Sequence, residues 1–133
     1  TRYDQLYVDG GPATNASSGH VRMQGQEVFR FAVNSMASSV RTGLEANGLT
    51  LKDINWLIPH QANSRIIAKV GETLDVPDDK VIVTVQNHAN TSAATIPLAM
   101  THGFERQLFK PGDLLALTAM GGGFSWGSAI LRW

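Results

Sequence analysis

Apolar positions along the chain alternate between strand-like runs and helical spacing, and the alternation accounts for the 133 residues without a linker, a low-complexity stretch or an internal repeat. Leu6-Tyr7-Val8 is a short apolar run followed by turn-rich sequence, Asp9-Gly10-Gly11-Pro12 through Ser18-Gly19, which predicts a strand and a surface loop. From about Gln26 to Asn47 the spacing is helical, with Phe29, Ala32 or Val33, Met36, Val40 and Leu44 on one face and Asn47-Gly48 as the stop. Ile54 to Ile58 predicts a strand. A helix from about Ala62 to Leu74 turns Ile66, Ile67, Val70 and Leu74 inward and Arg65, Lys69 and Glu72 to water. Val76-Pro77-Asp78-Asp79 turns the chain into a further strand, Val81 to Val85.

The third helix, roughly Thr91 to Leu108, differs in character. No Asp, Glu, Lys or Arg occurs from Gln86 through Phe104, so the helix is expected to be covered on most sides. Ser92, Ala93, Ala94 and Thr95 permit close approach of a neighbour, and Pro97 must kink the helix or lie near its start. After Pro111-Gly112 come two strands, Leu114–Met120 and Phe124–Trp133, joined so tightly by glycines that they must be antiparallel. The order is β, α, β, α, β, α, β, β, an α/β class.

Three of these runs lead into polar or glycine-rich segments: Pro59-His60-Gln61-Ala62-Asn63, Asn90-Thr91-Ser92-Ala93-Ala94 and Gly121-Gly122-Gly123. If the runs are parallel neighbours, His60, Asn90 and a glycine turn share one carboxyl edge, where open α/β sheets place ligands. A neutral imidazole, a carboxamide and free backbone N–H groups are donors suited to a developing oxyanion. The nearby helix start would disfavour the imidazolium of His60. Plainer readings stay open: His60 as a packed core residue, Asn90 and Asn63 as helix caps, and the glycines as a hairpin turn. The glycine run is not a phosphate loop, since a strand follows and no Lys-Ser or Lys-Thr is adjacent. His20, His88 and His102 show no zinc-like spacing; His88, two residues before Asn90, either lines the same cavity or fills a gap.

Composition narrows the chemistry further. Eleven basic and eleven acidic residues cancel, and no basic run interleaves with aromatics, which argues against nucleic-acid binding. No stretch has the length of an apolar membrane span, and no signal-peptide pattern is seen. Cysteine is absent, which removes disulfides, thiolate metal sites and the commonest acyl-carrying nucleophile. No Ser sits in a nucleophile elbow and no Asp follows in a triad-like context, so any covalent step must be supplied from outside these residues. The chain starts at Thr1 rather than Met and is expected to be a piece of a longer one, with the cytoplasm as the default compartment.

Four stretches together carry a resemblance: Gly25-Gln26-Glu27-Val28-Phe29, Trp56 through Asn63, Asn90-Thr91-Ser92-Ala93-Ala94, and Gly121-Gly122-Gly123-Phe124-Ser125-Trp126-Gly127. From about residue 20 to Trp133 the sequence resembles the C-terminal half of the 3-oxoacyl-[acyl-carrier-protein] synthase III family, among the thiolase-fold condensing enzymes. The resemblance implies a Cys-His-Asn unit in which His60 and Asn90 are the His and Asn, the Cys lying in an N-terminal half absent from this chain. It implies that the Gly122 N–H belongs to an oxyanion hole. Gly25, Phe29, Ala62 and Asn63 would line a channel for coenzyme A or phosphopantetheine, and Arg65 would dock the acyl carrier protein unless it is merely a solvated helix charge. Ala89 stands where the family usually has Gly, and Met120 where it often has Phe.

The implied fold is one βαβαβαββ half of a thiolase-like structure, residues 1–133, with a mixed sheet. It would stack on a second similar half as five αβαβα layers, with the uncharged helix at the centre. The implied activity is decarboxylative condensation of acyl-CoA with malonyl-acyl-carrier-protein, which initiates fatty acid biosynthesis. No metal or other cofactor is implied. The implied partners are the Cys-bearing half, the acyl carrier protein and a second copy in a homodimer, with no nucleic acid and no membrane; residues 1–133 alone are expected to be inactive. A starter synthase of a secondary polyketide-type pathway and a non-catalytic, acyl-carrier-binding or dimerising chain are the alternatives.

Overall fold

The computed structural model describes residues 2–133. Strand β1 (Leu6–Val8) pairs antiparallel with β2 (Val21–Met23), Leu6 opposite Met23 and Val8 opposite Val21. The loop between them closes on Asp9, whose carboxylate accepts the His20 N–H at 2.8 Å and pairs with the Arg22 guanidinium. Those two donors hold the Asp9 carboxyl below its ordinary range. The sequence reading missed β2, because its three residues are all exposed and give no buried alternation.

Helix α1 (Gly25–Glu45) buries Val28, Ala32, Met36, Val40 and Leu44, four residues apart on one stripe. It ends as the Asn47-Gly48 pair requires. Gly48 takes φ +66°, and the Leu49 N–H returns to the Leu44 carbonyl at 2.9 Å.

The main sheet has the order β3 (Trp56–Pro59), β4 (Leu114–Gly121), β5 (Ser125–Arg132). β3 and β4 are parallel, with Trp56 opposite Leu115 and Pro59 opposite Thr118; β4 and β5 are antiparallel, from Leu114 opposite Arg132 to Gly121 opposite Ser125. Their residues alternate between two cores, which is why β3 and the first half of β4 read as continuous apolar runs. Leu57, Leu114 and Ala116 pack with α1 and with Val70 and Leu74 on one face. Ile58 and Leu115 pack with Ile82, Ala99 and Phe109 on the other. Helix α2 (Ser64–Thr73) therefore shares a face with α1, and α4 (Thr95–Glu105) covers the opposite face.

Two expectations are corrected. Val81 to Val85 is not a strand. Val81 makes a single parallel bridge to Leu57, the Ile82 N–H donates to the Leu57 carbonyl at 2.9 Å, and Val85–His88 forms a four-residue helix, α3. A side chain replaces the missing ladder. Gln61, fully buried, donates through Nε2 to the carbonyls of Pro59 (2.7 Å) and Ile82 (3.1 Å) and accepts the Thr84 N–H through Oε1 at 2.7 Å. With those groups satisfied by Gln61, the chain is free to leave the strand direction at Thr84.

The third helix also starts later than expected. A 3-10 turn, Ser92–Ala94, precedes α4, which puts Pro97 in its first turn, where no helical hydrogen bond is lost. α4 is covered on one side only by this chain, not on most: Thr95, Ala99 and Gly103 are buried, whereas Thr101 and Phe104 are exposed. Gly103 is needed there, since a Cβ would lie 2.2 Å from Cζ of Phe109.

Gln61→Leu in the complete protein is expected to destabilise it by at least about 3 kcal/mol, because three buried backbone groups lose their partner together. Denaturant unfolding checks this; a loss below about 1 kcal/mol would mean that the segment from Ile82 to Thr84 is held in some other way.

Candidate active site

The parallel pairing of β3 with β4 brings two carboxyl ends side by side. The His60 N–H donates to the Thr118 carbonyl at 2.8 Å, one step beyond β3, and Gly121 and Gly122 follow at the end of β4. The segment between α3 and α4 adds Asn90. These groups open onto a cleft of about 1010 Å³, floored by α1 and the start of α2. All the residues singled out from the sequence, His60, Asn90, Gly122, Gly25, Phe29, Ala62, Asn63 and Arg65, line this one cleft. His88, left open between cavity and gap filling, is exposed and not among its lining residues.

His60 is half-buried, and burial lowers its pKa from 6.5, so the ring is neutral near pH 7. The helix start is not the cause: α2 begins only at Ser64, beyond its cap Asn63. Nδ1 of His60 lies 2.6 Å from Oγ1 of Thr95, and that hydroxyl is also 3.0 Å from the Ser92 carbonyl. Nε2 is the ring nitrogen left for a ligand.

Asn90 is not a helix cap: Thr91 stands at the N-cap of the 3-10 turn and Ala94 at that of α4. Its Oδ1 accepts the Ser92 N–H at 3.0 Å, closing an Asx turn. Its Nδ2 makes no hydrogen bond among the described residues and is available as a donor at the cleft. The backbone around it is held in uncommon conformations. Ala89 lies at φ +55°, ψ −163°, a region that is essentially glycine's, and Ser92 lies at φ +53°.

The turn from β4 to β5 is glycine-rich for a local reason, since Gly123 has φ +135°. Gly122 lines the cleft, and among the described residues its N–H donates to no backbone group. Phe124 and Trp126 anchor the turn to α1 through Phe31, at ring distances of 4.8 and 5.2 Å. Met120, in place of the expected Phe, is a partly buried wall residue.

Asn63 caps α2, with Oδ1 accepting from Arg65 N at 2.9 Å and Ile66 N at 3.4 Å. The Arg65 guanidinium lies 5.9 Å from the centre of the Phe29 ring, linking α2 to α1 across the cleft. Gly25, at the start of α1, has open space where a Cβ would stand, so crowding does not demand glycine there. The sequence reading missed Leu6, Val21 and Met23 of the hairpin, which also line the cleft. The apolar Val21 and Met23 straddling Arg22 in an otherwise polar stretch were the signal for them.

The arrangement presents a neutral imidazole, a carboxamide and a free backbone N–H in one cleft. It can stabilise negative charge on an oxygen, and it contains no thiol to form a covalent bond. No cluster of His, Asp or Glu suited to a metal occurs among the described residues.

Two outcomes follow. Ala89→Gly is expected to stabilise the protein by about 1 kcal/mol by relieving the backbone at φ +55°, read as a raised denaturation midpoint; a lowered midpoint would contradict it. The depressed His60 pKa means that the unfolded chain binds its proton more readily than the folded one. Stability from His60 is therefore present above pH 6.5 and is lost as pH falls through 6.5 toward the lower folded value. The stability difference between the wild type and His60→Gln should shrink over that interval; a difference constant from pH 7.5 to 5 would show that His60 titrates alike in both states.

Comparison with known proteins identifies relatives of the chain and of its fold. The family described as 3-oxoacyl-[acyl-carrier-protein (ACP)] synthase III C terminal matches residues 44–133. The beta-ketoacyl-[acyl-carrier-protein] synthase III of Cereibacter sphaeroides is 55% identical over 130 residues, which are 98% of this chain and 40% of that protein. The crystal structure of 3-oxoacyl-[acyl-carrier-protein] synthase III from Aquifex aeolicus superposes with a TM-score of 0.87 at 43% identity, covering 96% of this chain and 39% of that one. The Pseudomonas aeruginosa structure gives 0.91 at 38% identity, covering 99% and 42%. The chain thus spans about 40% of the length of the curated relatives it matches. Its α/β fold with a mixed sheet is a half-domain of the thiolase-like kind. On the match over residues 44–133 and the agreement in fold, the chain belongs to the 3-oxoacyl-[acyl-carrier-protein] synthase III family.

Proposed function

We propose that residues 1–133 are the C-terminal half of a beta-ketoacyl-[acyl-carrier-protein] synthase III, completed by an N-terminal half that carries the nucleophilic Cys. The observation that carries this reading is the convergence of His60, Asn90 and the Gly122 backbone on one cleft that lacks a thiol of its own. The same-family proteins named beta-ketoacyl-[acyl-carrier-protein] synthase III support it.

The reaction has two stages. The Cys thiolate attacks an acyl-CoA, and the acyl group becomes a thioester on Cys as the CoA thiol leaves. Malonyl-acyl-carrier-protein then enters, and its thioester carbonyl accepts hydrogen bonds from His60 Nε2–H and Asn90 Nδ2–H. Carbon dioxide departs, and the electron pair of the broken C–C bond becomes an enolate whose oxygen the two donors hold. The enolate carbon attacks the acyl thioester, whose oxyanion is held by backbone N–H groups including Gly122. Collapse expels the Cys thiolate and gives 3-oxoacyl-acyl-carrier-protein. Decarboxylation supplies the nucleophile, so the scheme requires no metal or redox cofactor.

In this reading Gly25, Phe29, Ala62 and Asn63 flank the phosphopantetheine arm. Arg65, exposed at the edge of the cleft, meets the acidic carrier protein. The outward side of α4, uncharged and uncovered, lies against the other half in a five-layer stack. The complete enzyme is a cytoplasmic homodimer that opens fatty acid synthesis.

The test separates the two stages in the complete enzyme. His60→Ala and Asn90→Ala are each expected to slow release of labelled carbon dioxide from malonyl-acyl-carrier-protein by roughly a hundred- to a thousandfold. Acylation of the Cys by acyl-CoA should stay near the wild-type rate, since it relies on the backbone N–H groups. If Asn90→Ala released carbon dioxide at the wild-type rate, Asn90 would serve only the turn it closes with Ser92.

A further inference from the structure

The His60 ring is tied to the rest of the site by a single hydroxyl. Thr95, 1% exposed, sits at the first position of α4 with Oγ1 2.6 Å from His60 Nδ1 and 3.0 Å from the Ser92 carbonyl. A hydroxyl has one proton to give and two lone pairs to offer, so it donates to only one of these. The Ser92 carbonyl already accepts the backbone N–H of Thr95 itself. His60 Nδ1 has no other partner among the described residues. Either direction leaves every group paired; the donor role proposed for Nε2 selects the one in which Thr95 gives its proton to Nδ1, the shorter contact, while the Ser92 carbonyl keeps the Thr95 N–H. A neutral imidazole that accepts at Nδ1 carries its own proton on Nε2, the nitrogen left for the cleft.

Ser92 completes the connection. Its N–H holds Asn90 Oδ1 at 3.0 Å, so that the Asn90 Nδ2 is the part left to donate. One short segment, residues 90–95, therefore orients the carboxamide through a peptide N–H and the imidazole through a hydroxyl.

We propose that Thr95 is a positioning residue that locks His60 in the Nε2–H tautomer, turning a buried neutral histidine into a hydrogen-bond donor toward the cleft. The inference rests on the proposed donor role of His60 and Asn90. Without the hydroxyl, nothing holds Nδ1 as an acceptor and the Nδ1–H tautomer becomes populated; in it Nε2 presents a lone pair to the substrate carbonyl, which repels it.

The test uses the complete enzyme with Thr95→Val, which keeps the shape and removes the hydroxyl, and Thr95→Ser, which restores it. Thr95→Val is expected to lower carbon dioxide release about ten- to a hundredfold, by analogy with the loss seen when a metal-bound imidazole is deprived of the group that orients it. Acylation of the Cys by acyl-CoA should be unchanged, and Thr95→Ser should return most of the lost rate. Ring 15N shifts of His60 give a reading that packing alone would not move. They should report Nε2–H in the wild type and in Thr95→Ser, and a mixture of tautomers in Thr95→Val.

Nδ1–H in the wild-type enzyme overturns the proposal even if the valine variant does not fold. So does Thr95→Val with wild-type carbon dioxide release and an unchanged tautomer. His60→Ala and Asn90→Ala are measured alongside: if they abolish carbon dioxide release while Thr95→Val does not, the positioning role fails and the proposed chemistry stands. If they leave release intact, the donor chemistry fails, and the proposal fails with it.

Discussion

The parallel register of β3 on β4 is the constraint from which the site follows. Pro59 lies opposite Thr118, and the ladder runs one residue further through the His60 N–H. Side chains alternate along a strand, so a slip of one residue would send Ile58 and Leu115 to the face of α1 and turn His60 away from the cleft. The register is protected by burial on both sides: Leu57 and Ala116 lock into one core, Ile58 and Leu115 into the other. Because the strands are parallel, both chains leave the sheet at the same edge, and that edge holds the imidazole and the glycine turn together.

Gln61 extends the arrangement where the sheet gives out. The buried carboxamide takes up the backbone of Ile82 and Thr84, and the chain turns into α3 and on to Asn90. Asn90 follows two residues after α3 and lines the cleft. The uncommon backbone at Ala89 and Ser92 lies in the same few residues, where a tight path between α3 and α4 must still aim one carboxamide. Strain of this kind persists only where surrounding contacts over-determine the conformation. The Ser92 N–H bond to the Asn90 Oδ1 and the contact between the Thr95 hydroxyl and His60 Nδ1 are such contacts.

Helix-capping and ligand-directed roles are often weighed as alternatives for an Asn or a His near a helix start. Here they share the side chain. Asn63 caps α2 while lining the cleft; Asn90 closes an Asx turn with its oxygen and keeps its nitrogen free; His60 is anchored through one ring nitrogen and open at the other. The asymmetry of the amide and of the imidazole makes this possible, since each has two chemically distinct ends.

Several features were legible in the sequence because they depend on neighbours along the chain. The helical stripe from Val28 to Leu44, the stop at Asn47-Gly48, the antiparallel β4–β5 pair and the helix around Ile67 and Val70 all follow from local spacing and turn chemistry. The motifs at 59–63, 90–94 and 121–123 were also visible, and with them the residues that line the cleft. What the sequence could not decide were matters of partnership across space. Val81 to Val85 has every local property of a strand, yet after one bond to Leu57 the Ile82 carbonyl and the Thr84 N–H go to Gln61, twenty or so residues away. The neutrality of His60 comes from burial rather than from the helix it precedes in sequence. The pairing of β2 with β1 rests on backbone groups that exposed side chains do not advertise. Thr95 read as one small residue among several; only the fold sets its hydroxyl 2.6 Å from an imidazole thirty-five positions away. Periodicity reports which face of an element is buried, but the partner that takes up a polar group is chosen by the packed chain as a whole.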